Sequence, residues 1–404
     1  MNGRPKHILP AIVLSQFAGT SLWFAGNAVL DDLRQQWSLP IDALGHITSA
    51  VQLGFIAGTL AFAVLAISDR FSPRVVFLMC AALGAASNAA IVGLNGSYAA
   101  LIVLRVATGF FLAGIYPVGM RIAAGWYKED LGNALGLLVG ALVLGTALPH
   151  LLKGAGEHLP WQLVFATTSG VAIIGGIVMV AFVPDGPYLT RDNTRFDPVA
   201  LLAIFRRQRF RASAFGYFGH MWELYAFWTF LPFVIAAHGQ FHGQAVNAPL
   251  WTFAVMAAGC VGCVLGGWLS VRMGSPVVAL AQLAMSGLCC LLSPLVFQAP
   301  TPLFAAFLLL WGVTVVGDSP QYSALNALNA PRTLVGSALT IVNCLGFAIT
   351  VVSIQLLTAA QGTAGAQWLF TLLLPGPVLG VAALVPLMRR NGDDSCIARR
   401  NIGA

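Results

Sequence analysis

Two carboxylic acids lie deep inside apolar stretches of this sequence, Glu223 and Asp318. Glu223 comes eleven residues after Ala212, so a rise of about 1.5 Å per residue places it near the middle of a membrane-spanning helix. Asp318 lies nearer one end of its stretch, and the adjacent Gly317 and Pro320 predict a broken helix there. A low dielectric favours an uncharged carboxyl, so we expect proton uptake and release at Glu223 first and at Asp318 second. The alternative for each is a structural ion pair or hydrogen bond between helices.

A third charged group, Arg105, also lies within an apolar stretch, Leu101–Gly109. Its guanidinium keeps its proton at accessible pH, and burying that charge in hydrocarbon costs several kcal/mol. We expect Arg105 to face a central cavity, where it binds an anionic solute or acts as the charge partner of Glu223. The alternative is a side chain that reaches the nearby membrane surface.

Composition predicts an integral membrane protein built from helices. Of the 404 residues, 58% are hydrophobic and 9% are charged, against about a quarter charged in a soluble domain. At about 20 residues per span, the chain accommodates about 12 membrane-spanning helices and leaves no room for a separate soluble domain. The predicted spans, numbered 1 to 12, are 9–30, 43–67, 75–94, 98–120, 131–152, 162–184, 212–236, 248–270, 276–297, 301–323, 333–357 and 366–388.

The basic residues predict the orientation of these spans. Lys and Arg accumulate at the cytoplasmic ends of spans, and eighteen of the twenty-one fall on one side when the N-terminus is placed in the cytoplasm. Only Arg34 and Lys153 fall on the other side. The sequence therefore predicts a multi-pass inner-membrane protein with both termini cytoplasmic. Its net charge of +7 reflects this topology, and no nucleic-acid partner is expected.

The longest connection, 185–211, divides the chain into an N-terminal half, 1–184, and a C-terminal half, 212–404, with six spans in each. Short sequence matches relate the halves at a nearly constant offset: 68–72 with 270–274, 114–117 with 317–320, and 132–135 with 336–339. Because these matches occur in the same order in both halves, they support a duplicated six-helix unit. The connection 185–211 is then a cytoplasmic linker between two bundles.

The loop after span 2 carries the motif Asp69-Arg70-Phe71-Ser72-Pro73-Arg74, and a second copy after span 8 keeps Gly267, Arg272 and Gly274. The motif resembles the Gly-x-x-x-Asp-Arg-x-Gly-Arg signature of the major facilitator superfamily, with Leu65, Ser72 and Val271 as departures from it. The resemblance covers nearly the whole chain and implies an all-α transporter of 12 spans in two six-helix repeats. It also implies a latch at the cytoplasmic face in the outward-open state, formed by Asp69, Arg70, Arg74 and Arg272. A solvated turn with topology-setting charges explains the same residues without a latch.

In the resembled family, spans 1, 4, 7 and 10 line a central cavity. The resemblance therefore implies a solute site in which aromatic side chains stack on the solute and polar side chains bind it. Its members are Trp23, Asn27, Arg105, Tyr116, Trp222, Tyr225, Trp228, Gln321 and Tyr322. We expect a secondary active transporter that moves a small organic solute with protons by alternating access. An uncoupled facilitator and a drug or metabolite efflux antiporter are the alternatives within this fold.

The sequence lacks the motifs that indicate a membrane-embedded enzyme or a metal site. No His-Glu-x-x-His helix or pair of aspartates indicates a membrane-embedded enzyme, so no catalytic residue is assigned. The Cys260-x-x-Cys263 pair lacks the further ligands that a metal site needs, and no cofactor is expected. The expected partners are a small-molecule solute, protons and the lipid bilayer, with the chain acting as a monomer.

Overall fold

The computed structural model describes residues 5–127, 131–156, 159–189, 204–331 and 334–400 of the chain, with side chains up to residue 388 apart from those of residues 68, 69 and 131. Every regular element in these ranges is a helix. More than half of the predicted linker 185–211 lies outside them.

Ten helices in the described ranges are long and apolar enough to cross a bilayer. They coincide with predicted spans 2 to 6 and 8 to 12, and each exceeds the length that a hydrocarbon core of about 30 Å requires. In chain order they are Ala43–Val64, Pro73–Gly93, Tyr98–Trp126, Gly132–Ala155, Trp161–Phe182, Ala248–Met273, Ser275–Phe297, Thr301–Asn329, Val335–Gln361 and Ala366–Met388. The all-α membrane architecture predicted from composition is therefore confirmed.

Span 1 is broken near its middle. It consists of Ile8–Thr20 and Leu30–Trp37, with a single helical turn, Ala25–Ala28, between them. Thr20 and Ser21 bond their hydroxyls to carbonyls of the preceding turn, at 2.9 and 2.7 Å. Such bonds compete with helical bonding and bend helices. The two backbone carbonyls that follow, at residues 22 and 23, are left to bind a side chain from another span.

Span 7 is a continuous helix of 34 residues, Gln208–Phe241. It is the remaining predicted span, and it carries Glu223 and His220 among aromatic residues. Both side chains are buried, because span 7 packs against spans 10, 11 and 12 of its own half. A polar helix is stable in this position only when its neighbours satisfy its polar groups.

Spans 4 and 10 are interrupted at equivalent positions. In span 4 the helix restarts at Tyr116, and in span 10 it restarts at Ser319, 203 residues later. Each restart is followed by a proline, which lacks the N–H that a helical bond needs and fits the first turn of a helix. The broken helix predicted at Asp318 is therefore confirmed, and it has a counterpart in the other half.

The two halves pack against each other through spans 2 and 11 and through spans 5 and 8. We call the end of the bundle away from the N-terminus the distal end. Two hydrogen bonds join the halves there: Gln355 donates to the hydroxyl of Ser49, and Asn247 donates to the carbonyl of Gly154, each at 2.8 Å. A Cβ atom on Gly154 would lie 2.6 Å from the backbone nitrogen of Leu250. The halves are therefore in direct contact at the distal end.

We expect Gly154→Ala to weaken this closure. The added methyl group has no space against the Leu250 backbone, and overpacking of this kind costs about 1–3 kcal/mol. In hydrogen–deuterium exchange, segments 43–49 and 247–250 should exchange faster than in wild type. Gly170→Ala is the matched control, because a Cβ atom there meets nothing within 4 Å among the described residues. Equal exchange in both variants would contradict close packing at Gly154.

Candidate functional site

Asp318, at the interruption of span 10, faces His220 of span 7. The Oδ1 atom of Asp318 lies 2.9 Å from Nδ1 of His220, and both side chains are 1% exposed. The ring of Tyr322, one turn after Asp318, lies 5.6 Å from the ring of His220, and the ring of Tyr217 lies 6.1 Å from His220 and 6.2 Å from Tyr322. A carboxylate and an imidazole at this distance can share one proton without a change in their total charge. The pair is therefore suited to hold a proton away from water.

The partner of Asp318 was not predicted, although the sequence contains a signal for it. His220 lies twelve residues after the start of span 7 at Gln208, and Asp318 lies eleven residues before the end of span 10 at Asn329. Since these two helix ends lie on the same side of the bundle, the two residues have nearly equal depth. Matching polar residues by depth across adjacent spans finds this pair.

Glu223 is buried between spans 7, 9 and 10 of the C-terminal half. Its Oε1 atom accepts hydrogen bonds from the hydroxyl of Ser286 and from Nε1 of Trp311, the latter at 2.8 Å, and Sγ of Cys290 lies 3.5 Å away. Its Oε2 atom has no partner among the described residues. All three donors are neutral, so the carboxyl contacts polar groups but no cation.

Arg105 binds the break in span 1. Its guanidinium donates to the carbonyls of Leu22, at 3.2 Å, and of Trp23, and to Oδ1 of Asn88 at 3.0 Å. The amide of Asn88 in turn donates to groups on span 6, including the hydroxyls of Thr168 and Ser169 at 3.1 and 3.0 Å. This network joins spans 1, 3, 4 and 6. Arg105 therefore lies inside the N-terminal half, and its contacts differ entirely from those of Glu223.

Aromatic rings from both halves meet between the bundles. Trp23 of span 1 stacks on Tyr225 of span 7, with ring centroids 5.6 Å apart, and on Phe347 of span 11 at 5.8 Å. Phe55 of span 2 lies 5.1 Å from Trp23 and 4.4 Å from Phe347. We call these four residues the aromatic cluster. Two of them, Trp23 and Tyr225, belong to the predicted solute site, and the cluster joins the halves near mid-depth.

The remaining residues of the predicted solute site lie at different places. Asn27 is buried and donates to Thr48 at 2.6 Å, and Trp228 is buried beside Tyr225. Gln321 and Tyr322 are buried after the break in span 10, whereas Tyr116 is partly exposed at the restart of span 4. Trp222 points toward span 12, where its Nε1 atom donates to the carbonyl of Leu372 at 3.4 Å. The structure thus brings Trp23, Tyr225 and Trp228 together and directs Trp222 away from them.

The residues of the predicted latch make separate contacts. Arg74 lies 3.8 Å from Asp185, at the end of span 6, and Arg272 lies 4.2 Å above the ring of Trp268. Arg70 is exposed, and the side chain of Asp69 lies outside the described residues. The ion pair of Arg74 is partly exposed, so it adds about 1 kcal/mol or less to stability. Within the described ranges, no three His, Cys, Asp or Glu side chains come together as metal ligands.

Comparison with known proteins identifies the family of this chain. The sequence profile of the Major Facilitator Superfamily matches residues 11–354. The chain belongs to the major facilitator superfamily. As a member it is a multi-pass membrane transporter of small solutes with the twelve-helix fold, and it is not an enzyme.

The similar proteins differ in how much of the chain they match. The 3-(3-hydroxy-phenyl)propionate transporter of Escherichia coli (strain K12) is 25% identical over 94% of this chain and 93% of its own length. The uncharacterised transporter YgaY of the same strain is 29% identical, but the match spans 41% of this chain and 43% of YgaY, less than half of each. The solved structure of the proton:xylose symporter XylE superposes with a TM-score of 0.74 at 15% identity and covers 96% of both chains, which establishes the fold alone.

Proposed function

We propose that this chain is a proton-coupled carrier that moves a small organic solute across the inner membrane by alternating access. The observation that carries the proposal is the buried contact between Asp318 and His220, 2.9 Å apart. It joins two spans that move relative to the other half, and it lies at the point where one of them is interrupted. A proton gained or lost here changes the charge of a site that is buried in this conformation.

Asp318 ranks ahead of Glu223 as the proton-coupling residue, the reverse of the order expected from depth. Glu223 packs inside the C-terminal half and bonds neutral donors on spans 9 and 10. A protonated Glu223 carboxyl still accepts the hydrogen bonds of these donors. Because it moves together with spans 9 and 10, it stays away from the interface between the halves. Glu223 then serves mainly to hold spans 7, 9 and 10 together. Asp318 has His220, a second ionisable group, as its partner, and span 10 is interrupted at Asp318, so this part of the helix can rearrange.

The closed distal end and the aromatic cluster support alternating access. The solute path between the halves is blocked at the cluster, where rings of Trp23, Tyr225 and Phe347 are in contact. Separation of the halves at either end exposes these rings, which can then stack on a flat or apolar part of the solute. The name of the 3-(3-hydroxy-phenyl)propionate transporter fits a solute of this kind. The carrier functions as a monomer, because each half supplies the closing surface for the other.

Transport in liposomes tests the proposal. Liposomes that contain the purified protein and are loaded with unlabelled solute should exchange it for labelled solute. An imposed pH gradient should drive accumulation of the solute, and a protonophore should remove that accumulation. One pH unit supports up to about tenfold accumulation per coupled proton, since tenfold corresponds to about 1.4 kcal/mol. Exchange that ignores both the gradient and the protonophore would contradict proton coupling and favour an uncoupled facilitator.

The proposed topology places both termini in the cytoplasm. A cytoplasmic reporter fused after Ala404 should be active, because the basic residues near span ends favour that side. A reporter that works only in the periplasm should be active after Gly156, at the distal end of span 5, and inactive after Ala404. Periplasmic activity after Ala404 would contradict the orientation.

We also propose that the loop around Asp69 acts as a latch at the cytoplasmic face. Asp69→Asn should lower the transport rate while equilibrium solute binding stays within about twofold, because the loop lies far from the aromatic cluster. Asp42→Asn, at the distal start of span 2 where Asp42 pairs with His46 at 3.8 Å, is the matched control and should change neither quantity. Loss of binding with normal turnover in Asp69→Asn would contradict a latch.

A further inference from the structure

The ring of Phe24, in the break of span 1, lies near buried side chains of both halves. Its centroid is 6.3 Å from the ring of His150 on span 5 and 6.2 Å from the ring of Trp228 on span 7. His150 is 1% exposed and Trp228 is fully buried. Neither ring nitrogen of His150 has a hydrogen-bond partner among the described residues, and the indole nitrogen of Trp228 has none either.

Two more polar groups, one turn from His150 and one turn from Phe24 along the chain, share this property. Thr146 lies one turn before His150 on the same face of span 5, and its hydroxyl is buried without a partner. Asn27, one turn after Phe24, donates its amide to Thr48 but leaves Oδ1 unpaired. About nine in ten buried polar groups are hydrogen-bonded, and each exception costs about 1–3 kcal/mol. His150, Trp228, Thr146 and Asn27 together carry five such unpaired atoms, which leaves them able to bind a ligand.

The charge near this site favours an anion. Arg105 bonds the two backbone carbonyls that precede Phe24, and its Nε atom has no partner among the described residues. Every group that it bonds in those ranges is neutral, so its charge is not compensated by a carboxylate there. The field of a buried charge extends over several ångströms in a low dielectric. A carboxylate beside Phe24 is attracted by this field, and a cation is repelled.

We propose that Thr146, His150 and Trp228 bind the carboxylate of the transported solute, with the rest of the solute toward the aromatic cluster. The inference rests on the proposed transport function and adds the chemical class of the solute, a small organic acid. The hydroxyl, imidazole and indole supply N–H and O–H donors, which are the groups that bind carboxylate oxygens.

The site also explains how binding and closure are connected. His150 belongs to the N-terminal half and Trp228 to the C-terminal half, so a bound carboxylate joins the halves. His150 lies five residues before the end of span 5 at Ala155, about 8 Å from the distal end. Opening of the distal end separates the two residues. The carboxylate therefore enters or leaves on the distal side.

Binding measurements with paired acids and amides test the inference. Benzoate, phenylacetate and hexanoate are compared with benzamide, phenylacetamide and hexanamide by thermal shift and isothermal titration on the purified full chain. We expect at least one acid to bind, and its amide to bind at least tenfold more weakly. His150→Leu and His150→Gln should raise the Kd of that acid at least tenfold, and Trp228→Phe, which keeps an aromatic ring but lacks the N–H, about threefold to tenfold.

His238→Gln is the matched control. His238 is also a buried histidine near the distal end, but its nitrogens are bonded to the carbonyl of Phe297 at 2.9 Å and to the hydroxyl of Thr301 at 3.3 Å. The Kd of the His238→Gln variant for the same acid should stay within about twofold of wild type. The inference is overturned if no acid binds, if the amides bind as tightly as the acids, or if all His150 and Trp228 variants bind like wild type.

The two proposals fail in different ways. Proton-driven exchange of a neutral solute by protein that binds no acid would overturn the carboxylate site and leave the proposed function intact. Binding of an acid that depends on His150, in protein whose exchange ignores the pH gradient, would overturn proton coupling and support the site.

Discussion

Asp318→Asn should abolish proton-driven accumulation of the solute and leave counterflow within about twofold of wild type. Asparagine keeps the size of the aspartate and an oxygen facing His220, 2.9 Å away in the native protein, but it cannot take up or release a proton. Exchange without a gradient needs only the movement of the halves. We expect the accumulation ratio under an imposed pH gradient to fall at least tenfold, to near unity.

Two further variants make this result specific. Asp185→Asn removes an acidic group of the same type from a partly exposed ion pair with Arg74, and accumulation should be unchanged. Glu223→Gln keeps the hydrogen bonds from Ser286 and Trp311, and we expect coupling to survive in it. Loss of coupling in Glu223→Gln with normal coupling in Asp318→Asn would contradict our ranking and assign the proton to Glu223.

Arg105→Met should cost the protein several kcal/mol of stability, enough to lower its yield and its thermal midpoint in detergent by more than about 10 °C. The substitution leaves the carbonyls of Leu22 and Trp23 and the amide oxygen of Asn88 buried without a donor. Each unsatisfied group costs about 1–3 kcal/mol. Arg105→Lys keeps the charge but cannot reach three acceptors in the same geometry, so it should restore only part of the loss.

Arg272→Met is the matched control for this effect. Its guanidinium lies over Trp268 at an exposed end of span 8, a contact worth about 1 kcal/mol or less in such a position. The thermal midpoint should stay within about 2 °C of wild type. A stable Arg105→Met protein that folds normally but no longer binds any solute would contradict a structural role and place Arg105 in the solute site.

The sequence contains the information for the spans and for the interruption at Asp318. Hydrophobicity over about 20 residues decides whether a segment crosses the bilayer, and this is a property of each segment alone. The same holds for a Gly-x-x-Pro segment such as 317–320, where glycine and proline weaken helical bonding locally. Broken span 1 was not predicted, because its break depends on hydroxyls that return to their own helix and on Arg105, which is 82 residues from Trp23.

Only the tertiary structure decided which groups the charged residues contact. Asp318 faces a histidine 98 residues earlier in the chain. Glu223 bonds Ser286 and Trp311, and Arg105 bonds backbone carbonyls and an amide oxygen rather than a carboxylate. A hydrophobic segment determines that a helix spans the membrane but not how the helix is rotated about its own axis. Successive side chains point about 100° apart around the helix, so this rotation decides which neighbours each side chain contacts. The sequence by itself therefore determined the bundle and the residues able to carry charge within it, whereas packing between spans determined their partners.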